Sequence, residues 1–327
     1  MMRIAQAGLF RSIKKDLEIL EEDLLESVKS DVPLVTEVGT HLVKSGGKRL
    51  RPALLLAAAH ASRNFSRDRV MPLAAAVEMI HMASLVHDDV IDHADTRRGT
   101  PTANAKWGNQ VAILSGDYFF AQAFSKVAHA RYGEEVGMRL AKLVSELSVG
   151  EIQQDAMMFT AEHSIEEYYQ RIEKKTADFL AICCELGAMV SGADEEVCRG
   201  LYSYGHCIGM AFQITDDLLD IVGDAKKLGK PAGNDILQGV VTLPVIRALE
   251  KSPNRDELAA IITNRHMTDE DVKRALEIVK ATDGVDFAKS KADEFLAEAK
   301  KALPKELPED IRETFVAAAD YIGKRDF

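Results

Sequence analysis

Two clusters of aspartates carry the most chemistry in this sequence, and each has the pattern D-D-x-x-D. Their members are Asp88, Asp89, Asp92, Asp216, Asp217 and Asp220. Residues three and four apart lie on one face of a helix, so each cluster gathers like charges that repel one another unless a cation is present. A ligand set made only of carboxylates selects a hard divalent cation, and Mg²⁺ shares a few protein carboxylates with water and substrate phosphates. The spacing differs from that of an EF-hand loop, which excludes a calcium site of that kind.

Each cluster could instead be a solvated acidic face or an acidic helix N-terminus. Both, however, stand inside apolar stretches. The first follows an apolar run that ends at His87, and the second is embedded among Phe212, Ile214, Leu218 and Leu219. Charges in such a setting need compensation, so the two patterns together favour a pair of metal sites.

Cations stand close to the first aspartate cluster, although the chain as a whole is acidic. The segment 46–52 reads G-G-K-R-L-R-P and carries Lys48, Arg49 and Arg51 into a helix start. Glycines let backbone N–H groups approach an anion, and a helix N-terminus adds partial positive charge. Further cations of interest are Arg97, Arg98, Lys174, Lys175 and Lys230. Any one of these could be an exposed basic turn, but arginines beside a carboxylate metal cluster favour recognition of a diphosphate.

Histidines flank the same region. His81 precedes Asp88 by two helical turns on one face, so both side chains can point into one cavity. His87 and His93 leave a zinc site open as an alternative, but no cysteine or third histidine stands at ligand spacing from them.

Composition and charge narrow the class of protein. The chain has 327 residues, 46% of them hydrophobic and 28% charged, as in soluble globular proteins. A net charge of −11 argues against a nucleic-acid partner, because the average surface repels phosphate backbones. Four cysteines, two of them adjacent at Cys183 and Cys184 in an apolar run, indicate buried thiols in a reducing compartment. No segment has the roughly 18 uninterrupted apolar residues of a transmembrane span, and none resembles a signal peptide, so we expect a cytoplasmic protein.

The elements that must position these residues are helices. Apolar residues recur at helical spacing along much of the chain, most clearly in the runs 53–61 and 72–87. The second run leads directly into the first aspartate cluster. Ser164 with Glu167 predicts a capping box at another helix start. Strand signals are scarce and no long linker interrupts the chain, so we predict an all-α fold of about ten or more helices forming a single domain over residues 1–327.

Taken in order, these motifs resemble the trans-polyprenyl diphosphate synthase family. The matching segments read G-G-K-R-L-R-P (46–52), E-M-I-H-M-A-S-L-V-H-D-D-V-I-D (78–92), R-R-G (97–99), G-D-Y (116–118), K-T (175–176), G-M-A-F-Q-I-T-D-D-L-L-D (209–220) and G-K-P-A-G-N-D (229–235). The resemblance implies the isoprenoid synthase fold, a bundle of helices around a central cavity with the two aspartate motifs facing each other across its mouth.

The resemblance also implies a role for each matching residue. The implied metal ligands, which would hold about three Mg²⁺ ions, are Asp88, Asp92, Asp216, Asp217 and Asp220. Asp89 would support the first pair. The residues implied to contact an allylic diphosphate or the developing cation are Arg97, Lys175, Thr176, Gln213 and Lys230. Those implied to bind isopentenyl diphosphate are Lys48, Arg51, His81 and Arg98.

Such an enzyme ionises an allylic diphosphate, here expected to be farnesyl diphosphate, and joins the carbocation to isopentenyl diphosphate. Metal ions and cationic side chains stabilise charge on the leaving diphosphate, while a second basic pocket holds the other substrate nearby. Loss of a proton, with the released diphosphate as acceptor, gives an all-trans product longer by one prenyl unit. The cavity must exclude water, which would convert the cation to an alcohol.

The length of the product should depend on the helix before Asp88, whose preceding turns would line the path of the growing chain. Those positions include Ile80, Ala83 and Ser84. In the family, aromatic residues just upstream of the aspartates stop growth at short products, whereas small residues leave the path open. The sequence therefore favours a product between hexaprenyl and octaprenyl diphosphate, with heptaprenyl diphosphate, a precursor of menaquinone side chains, as the single choice. Small residues here could also serve helix packing alone.

One position departs from the family, because Val240 stands where a lysine is frequent. A non-basic residue there resembles the catalytic large subunit of two-component hexaprenyl or heptaprenyl diphosphate synthases. The resemblance thus implies either a homodimer or a heterodimer with a small synthase subunit, and the sequence does not decide between them.

Three other functions remain open. A farnesyl or geranylgeranyl diphosphate synthase would differ only in the cavity wall. A class I terpene cyclase also uses Mg²⁺ and an aspartate motif, but it needs no second diphosphate site, so Lys48, Arg51 and His81 argue against it. A non-catalytic partner subunit tends to lose the aspartates, whereas this chain keeps all six.

Overall fold

A computed structural model describes residues 10–223 and 232–324 of the chain. Within these ranges the chain is almost entirely helical, with one two-stranded hairpin, which confirms the all-α prediction. The fold divides into two compact units. The single domain over residues 1–327 stays a prediction.

The helices account for most of the described chain. After a short 3-10 turn they are, in chain order with the two strands, α1 (Lys14–Ser27), α2 (Pro33–Lys44), α3 (Leu50–Ala59), α4 (Arg67–Ile91), β1 (Thr96–Arg97), β2 (Thr100–Pro101), α5 (Ala103–Trp107), α6 (Asn109–Ala130), α7 (Glu134–Met157), α8 (Ile165–Ile172), a π-turn (Glu173–Ala177), α9 (Asp178–Val190), α10 (Glu195–Val222), α11 (Asn234–Leu237), α12 (Leu243–Lys251), α13 (Arg255–Ile262), α14 (Asp269–Lys280), α15 (Gly284–Ala302) and α16 (Glu309–Gly323).

The first unit comprises Met1–Lys142, Ile182–Tyr202 and Leu303–Ala317, and its central helix is α4. This helix packs against α1, α3, α5 and α6. Gly116 of α6 permits the approach of α6 to α4, because a Cβ atom there would lie 2.2 Å from Nε2 of His87. The aspartates at the end of α4 are therefore carried by a helix that its neighbours hold in place.

Two helix boundaries differ from those expected. Helix α4 is Arg67–Ile91, longer at both ends than the run 72–87. Its first turn and its last turn contain charged residues, so the apolar pattern does not extend over them. An acidic residue at Asp68 nevertheless suits the start of a helix. Helix α3 begins three residues before the run 53–61 and ends at Ala59.

Helix α4 also has the composition of a membrane span. Among the described residues it is the helix that is long and apolar enough to cross a membrane, with a mean hydropathy of 1.4 over an 18-residue window. Because 72% of that window is buried inside the protein, its composition is explained by its place in the core.

The second unit comprises Leu143–Ala181, Ser203–Ala302 and Ala318–Phe327, and its core surrounds the C-terminal half of α10. Ile214, Leu218 and Ile221 of this helix are fully buried against residues of α8, α12 and α14. The capping box at the start of α8 is confirmed, since the Ser164 hydroxyl accepts from the Glu167 N–H and the Glu167 carboxylate accepts from the Ser164 N–H.

The cysteines are thiols, as predicted. Cys183, Cys184 and Cys198 are buried, Cys207 is half-buried, and none of the four forms a disulfide. Burial raises the pKa of Cys207 to about 11, so this thiol is protonated at neutral pH.

Candidate active site

The first aspartate cluster lies at the C-terminal end of α4. Asp88 is half-buried, and Asp92 is exposed at the C-cap of the helix. The last turn of α4 carries no basic residue, so both carboxylates lie at the negative end of the helix dipole without a cationic side chain from that turn. A divalent cation relieves this repulsion, and accessible carboxylate oxygens suit Mg²⁺.

The third member of the cluster, Asp89, is buried and already engaged. Arg97 Nε donates to Asp89 Oδ1 at 2.7 Å. Burial raises the pKa of Asp89, and the charge of Arg97 opposes this effect. The geometry agrees with the supporting role expected of Asp89, and it holds Arg97 against the end of α4 that carries the first cluster.

A tight hairpin presents the arginine pair. Strands β1 and β2 are antiparallel, and the turn residues Arg98 and Gly99 have φ angles of 55° and 75°. Both angles lie in the left-handed region, which glycine adopts without strain. Arg98 Nη1 donates to the carbonyl oxygen of Gly46. The glycine turn at 46–52 and the arginine pair, distant in sequence, therefore form one basic site.

This basic site opens on a cavity of the first unit. Its lining includes Leu42, Gly46, His81, Met82, Leu85, Asp89, Arg97 and Arg98. A cavity with cations at one side and aliphatic groups at the other fits a small anion with a short apolar tail. His81 lines this cavity together with Asp89, the buried member of the first aspartate cluster.

Two side chains of this site are coupled by a hydrogen bond. Arg51 Nη1 donates to His81 Nε2 at 3.1 Å. Burial and the nearby guanidinium groups lower the pKa of His81 well below its ordinary value. His81 is therefore neutral at physiological pH, which lets its Nε2 accept from Arg51 and hold the guanidinium in place. Lys48 is half-buried at the start of the same turn.

Arg49 differs from Lys48 and Arg51, with which the sequence groups it. Its backbone is left-handed, with a φ of 51°, and its side chain turns inward. Nη1 donates to Glu78 Oε1 at 2.7 Å, and Nε donates to Glu21 Oε1 at 2.8 Å. The side chains of Arg49 and Glu78 are 7% and 3% exposed. Their ion pair is therefore largely buried and holds the basic turn against the core.

We expect Glu78→Gln to lower the free energy of unfolding by about 3 kcal/mol, because it leaves part of the buried Arg49 charge uncompensated. Urea denaturation of the purified protein measures this change. Glu26→Gln is the matched control, since Glu26 pairs with Lys29 on the surface and such pairs contribute little. Equal unfolding free energies for the two variants would show that the buried pair is not stabilising.

The positions expected to form a wall lie on another face of α4. Ile80 and Ala83 are fully buried, and Ser84 is half-buried. The Ser84 hydroxyl donates to the carbonyl oxygen of His81 at 2.9 Å, which leaves its apolar Cβ outward. None of the three lines the cavity described above. Ser84 stands one turn before Asp88, so the two residues lie on one side of α4.

In the second unit, the second aspartate cluster lies in the last two turns of α10. Asp216 is half-buried, whereas Asp217 and Asp220 are buried. Asp220 Oδ2 accepts from the backbone N–H of Asp235 at 3.0 Å. Asp216 is thus the member with the most access to solvent, and its carboxylate fits a hard cation with the other two beside it.

A hydrogen-bond network supports this second cluster. Thr176 Oγ1 donates to Gln213 Oε1 at 2.8 Å, and Gln213 Nε2 donates to Asp217 Oδ1 at 2.9 Å. Tyr168 Oη donates to the other oxygen of Asp217 at 2.7 Å. Burial raises the pKa of Asp217 to about 6. Thr176 and Gln213 are therefore brought together as predicted, and they are oriented by a buried carboxylate.

Tyr168 is a residue that sequence reasoning missed. It is 2% exposed, and its hydroxyl has a partner 49 positions away in the chain. No local pattern links these two residues, because a tyrosine directly after a capping glutamate looks like an ordinary amphipathic helix residue. Only the packing of α8 against α10 reveals the contact.

The remaining predicted cations have mixed outcomes. Lys175 Nζ lies 2.8 Å from Glu151 Oε2, so an anionic substrate must draw it from this carboxylate. Lys230 lies outside the described residues. Val240 is half-buried and supplies no charge, and its N–H donates to the carbonyl oxygen of Asp235 at 2.8 Å.

The zinc alternative has no support from the histidine pair. His87 Nε2 lies 3.0 Å from the carbonyl oxygen of Ile113 and donates to it. His93 is exposed. Within residues 10–223 and 232–324, neither belongs to a group of three converging metal-ligating side chains.

Comparison with known proteins decides the family. The polyprenyl synthetase family matches residues 32–279 of the chain, which is more than half of its length. This chain belongs to the polyprenyl synthetase family. Its members are prenyltransferases, and the resemblance inferred from the motifs is thereby confirmed.

Individual relatives agree with this assignment over nearly the full length. Heptaprenyl diphosphate synthase component 2 of Bacillus subtilis (strain 168) is 40% identical over 317 residues, which cover 96% of this chain and 89% of the relative. The crystal structure of heptaprenyl diphosphate synthase from Staphylococcus aureus matches this chain with a TM-score of 0.90 and 33% sequence identity. The matched region covers 96% of this chain and 99% of the chain in that structure.

A second solved structure carries ligands. The polyprenyl synthase from Caulobacter crescentus CB15, complexed with calcium and isoprenyl diphosphate, has a TM-score of 0.91 and 34% identity over 98% of this chain and 97% of its own. These likenesses confirm the isoprenoid synthase fold for this polyprenyl synthetase.

Proposed function

We propose that this polyprenyl synthetase condenses isopentenyl diphosphate with farnesyl diphosphate into a long-chain all-trans product, heptaprenyl diphosphate. One observation carries the proposal. The first unit holds two carboxylates with access to solvent, Asp88 and Asp92, and a basic cavity lined by His81 and Arg98, with Arg51 hydrogen-bonded to His81. Two anion receptors side by side suit an enzyme that joins two diphosphates, whereas a terpene cyclase needs only one.

The carboxylates would hold the metal ions. Asp88 and Asp92 fit Mg²⁺ in the first unit, and Asp216 fits it in the second, with about three ions in all implied by the family. When bound, such ions supply positive charge that stabilises the diphosphate leaving group. The relative complexed with calcium and isoprenyl diphosphate supports a divalent cation at this kind of site.

The chain's own residues bind and orient the substrates. In the first unit, Asp89 holds Arg97, whose guanidinium can bind the allylic diphosphate. In the second unit, the family resemblance gives Lys175 the same role. Arg51, hydrogen-bonded to neutral His81, supplies positive charge beside the cavity where isopentenyl diphosphate would bind. Holding both substrates in place converts their encounter into a step within one complex.

Two further residues act on the developing cation. The Thr176 hydroxyl and the Gln213 side chain carry oxygen dipoles, and their mutual hydrogen bond fixes their orientation. Oriented oxygens stabilise positive charge without being consumed. The released diphosphate is the proton acceptor that completes the reaction in this proposal, since the residues named here are hydrogen-bond donors, dipoles or metal ligands.

The length of the product provides a direct test of the proposed wall. We expect Ser84→Phe to shift products from heptaprenyl towards farnesyl and geranylgeranyl diphosphate, because an aromatic ring one turn before Asp88 blocks the growing chain. Thin-layer chromatography of labelled, dephosphorylated products measures the shift. Ala83→Phe should act in the same direction, but Ala83 is fully buried, so overpacking would add about 1–3 kcal/mol of destabilisation.

Ser125→Phe is the matched control, since Ser125 is a half-buried helical serine on α6. It should leave product length unchanged. Unaltered chain length in Ser84→Phe would mean that small residues at this position serve helix packing alone.

We propose further that the active enzyme is a dimer and that its partner is a small synthase subunit. The relative from Bacillus subtilis is named component 2, which implies a second component for that enzyme. Val240 leaves a position without the charge frequent in the family, which a partner could compensate. In the first unit, Ile113, Leu114 and Met138 are 42%, 59% and 63% exposed, and large apolar side chains at such exposure favour a protein contact. A homodimer is the alternative.

We also propose that the protein works in the cytoplasm and that its product serves as a menaquinone side chain. Four free thiols are consistent with a reducing compartment. Measuring the protein in soluble and membrane fractions of its host tests the location.

The activity itself is tested by incubating the purified chain with farnesyl diphosphate, labelled isopentenyl diphosphate and Mg²⁺, with and without a candidate small subunit. The proposal predicts label in long-chain products and a large stimulation by the partner. Cyclised products without label would instead identify a terpene cyclase, and labelled products no longer than geranylgeranyl diphosphate would identify a short-chain synthase.

A further inference from the structure

A second group of metal-ligating side chains lies in the second unit, apart from both aspartate clusters. Its members are Glu173, Asp178 and His206, and one ligand atom of each lies within 4.8 Å of the others. His206 Nε2 is 3.1 Å from Glu173 Oε1. The group combines two carboxylates with an imidazole, so it differs in chemistry from the carboxylate clusters that the reaction uses.

A π-turn is what brings the two carboxylates together. Glu173–Ala177 has π-helical hydrogen bonding, and the N–H of Asp178 donates to the carbonyl oxygen of Glu173. In an α-helix, residues five apart point about 140° away from each other. The wider π-turn stacks them instead, so Glu173 and Asp178 share one face. His206 of α10 meets that face, and the three groups converge from two elements.

We propose that Glu173, Asp178 and His206 bind a divalent transition metal ion such as Mn²⁺ or Zn²⁺. Adjacent ligands about 2.1 Å from one ion lie about 3–3.5 Å apart, and the separation of His206 and Glu173 has this value. A rotation of the Asp178 carboxylate completes the set. Imidazole favours transition metals, whereas Mg²⁺ and Ca²⁺ favour oxygen ligands alone, so the site distinguishes these ions from the magnesium of the reaction.

The site is reachable from water. The side chains of His206 and Glu173 are 26% and 45% exposed, so an ion can arrive from solvent and keep water molecules as further ligands. Nearby lysines do not occupy the site, since Lys174 lies 3.8 Å from Glu146 and Lys175 lies 2.8 Å from Glu151.

The proposed metal site lies next to residues that the proposed reaction uses. Lys175 and Thr176 stand between Glu173 and Asp178 on the same π-turn. An ion held by both ends of the turn and by α10 would cross-link them and so fix these two residues. This consequence for catalysis rests on the proposed function, whereas the binding of the ion does not.

Electron spin-echo spectroscopy of bound Mn²⁺ tests the proposal, with the full chain in millimolar Mg²⁺ to occupy the aspartate clusters. A ligating imidazole nitrogen couples to the electron spin of Mn²⁺, and carboxylate clusters show no such coupling. We expect nitrogen coupling in the natural protein and in His266→Ala, and its loss in His206→Ala. His266 is an exposed histidine of the same unit and serves as the matched control.

Absence of nitrogen coupling in the natural protein, or its persistence in His206→Ala, overturns the proposal and leaves Glu173 and His206 as a plain ion pair. If His206→Ala does not fold, Glu173→Gln replaces it, and this variant should bind Mn²⁺ at least about tenfold more weakly. Unchanged Mn²⁺ affinity in Glu173→Gln also overturns the site. All of these readouts are independent of turnover, so they separate this proposal from the proposed activity.

Discussion

Replacing Asp88 with asparagine is expected to lower kcat about 1,000-fold, which corresponds to ~4 kcal/mol of lost transition-state stabilisation. Asparagine keeps the size of the side chain but loses the charge that holds a divalent cation. Because Asp88 stands at the negative end of α4 without a basic residue in that turn, removing its charge should leave the fold as stable as before or slightly more so. Steady-state kinetics at saturating Mg²⁺, combined with thermal unfolding, measure both effects.

Asp68→Asn is the matched control, because it removes a carboxylate from the opposite end of the same helix. It should retain activity and lose a little stability, since an acidic residue favours a helix start. Near-normal turnover in Asp88→Asn would remove Asp88 from the metal site. A joint loss of activity and folding would instead assign Asp88 to the core.

Replacing Arg51 with glutamine should raise the KM for isopentenyl diphosphate about 100-fold, or ~3 kcal/mol, and leave the KM for the allylic substrate nearly unchanged. His81 lines the basic cavity and accepts from Arg51, whereas Asp88 and Asp92 form the proposed receptor for the other diphosphate. Arg51→Lys should recover part of the affinity, because a lysine restores the charge without the planar fork of N–H donors.

Lys44→Gln is the control for this second variant, since Lys44 is an exposed cation seven positions away in the chain. It should change neither KM. An equal rise in both KM values for Arg51→Gln would contradict two separate receptors and favour a single shared diphosphate site.

Much of the candidate site follows from local sequence patterns. The helical spacing of Asp88 and Asp92 places both at one end of α4, and the arginine–glycine turn after them is the hairpin that carries Arg97. These features depend on residues close together in the chain, where periodicity and turn chemistry are informative.

Sequence patterns do not show towards which part of the protein a side chain points, or which distant residue it contacts. Three cations stand within residues 48–51, and nothing local shows that Arg49 pairs with Glu78 whereas Arg51 is hydrogen-bonded to His81. A left-handed backbone at that one residue and a distant partner, Glu78, decide it. The contact of Tyr168 with Asp217 likewise arises only from packing between two helices, and the π-turn arises without a proline or glycine to mark it.

The ion pair between Arg97 and Asp89 bears on whether the protein folds before or after it binds metal. Arg97 compensates one of the three negative charges of the first cluster from within the chain. A helix end with this reduced repulsion can fold and persist before any metal arrives. In the proposed enzyme, Mg²⁺ would then enter a folded site together with the diphosphate, so the supply of substrate would set how much metal the enzyme carries.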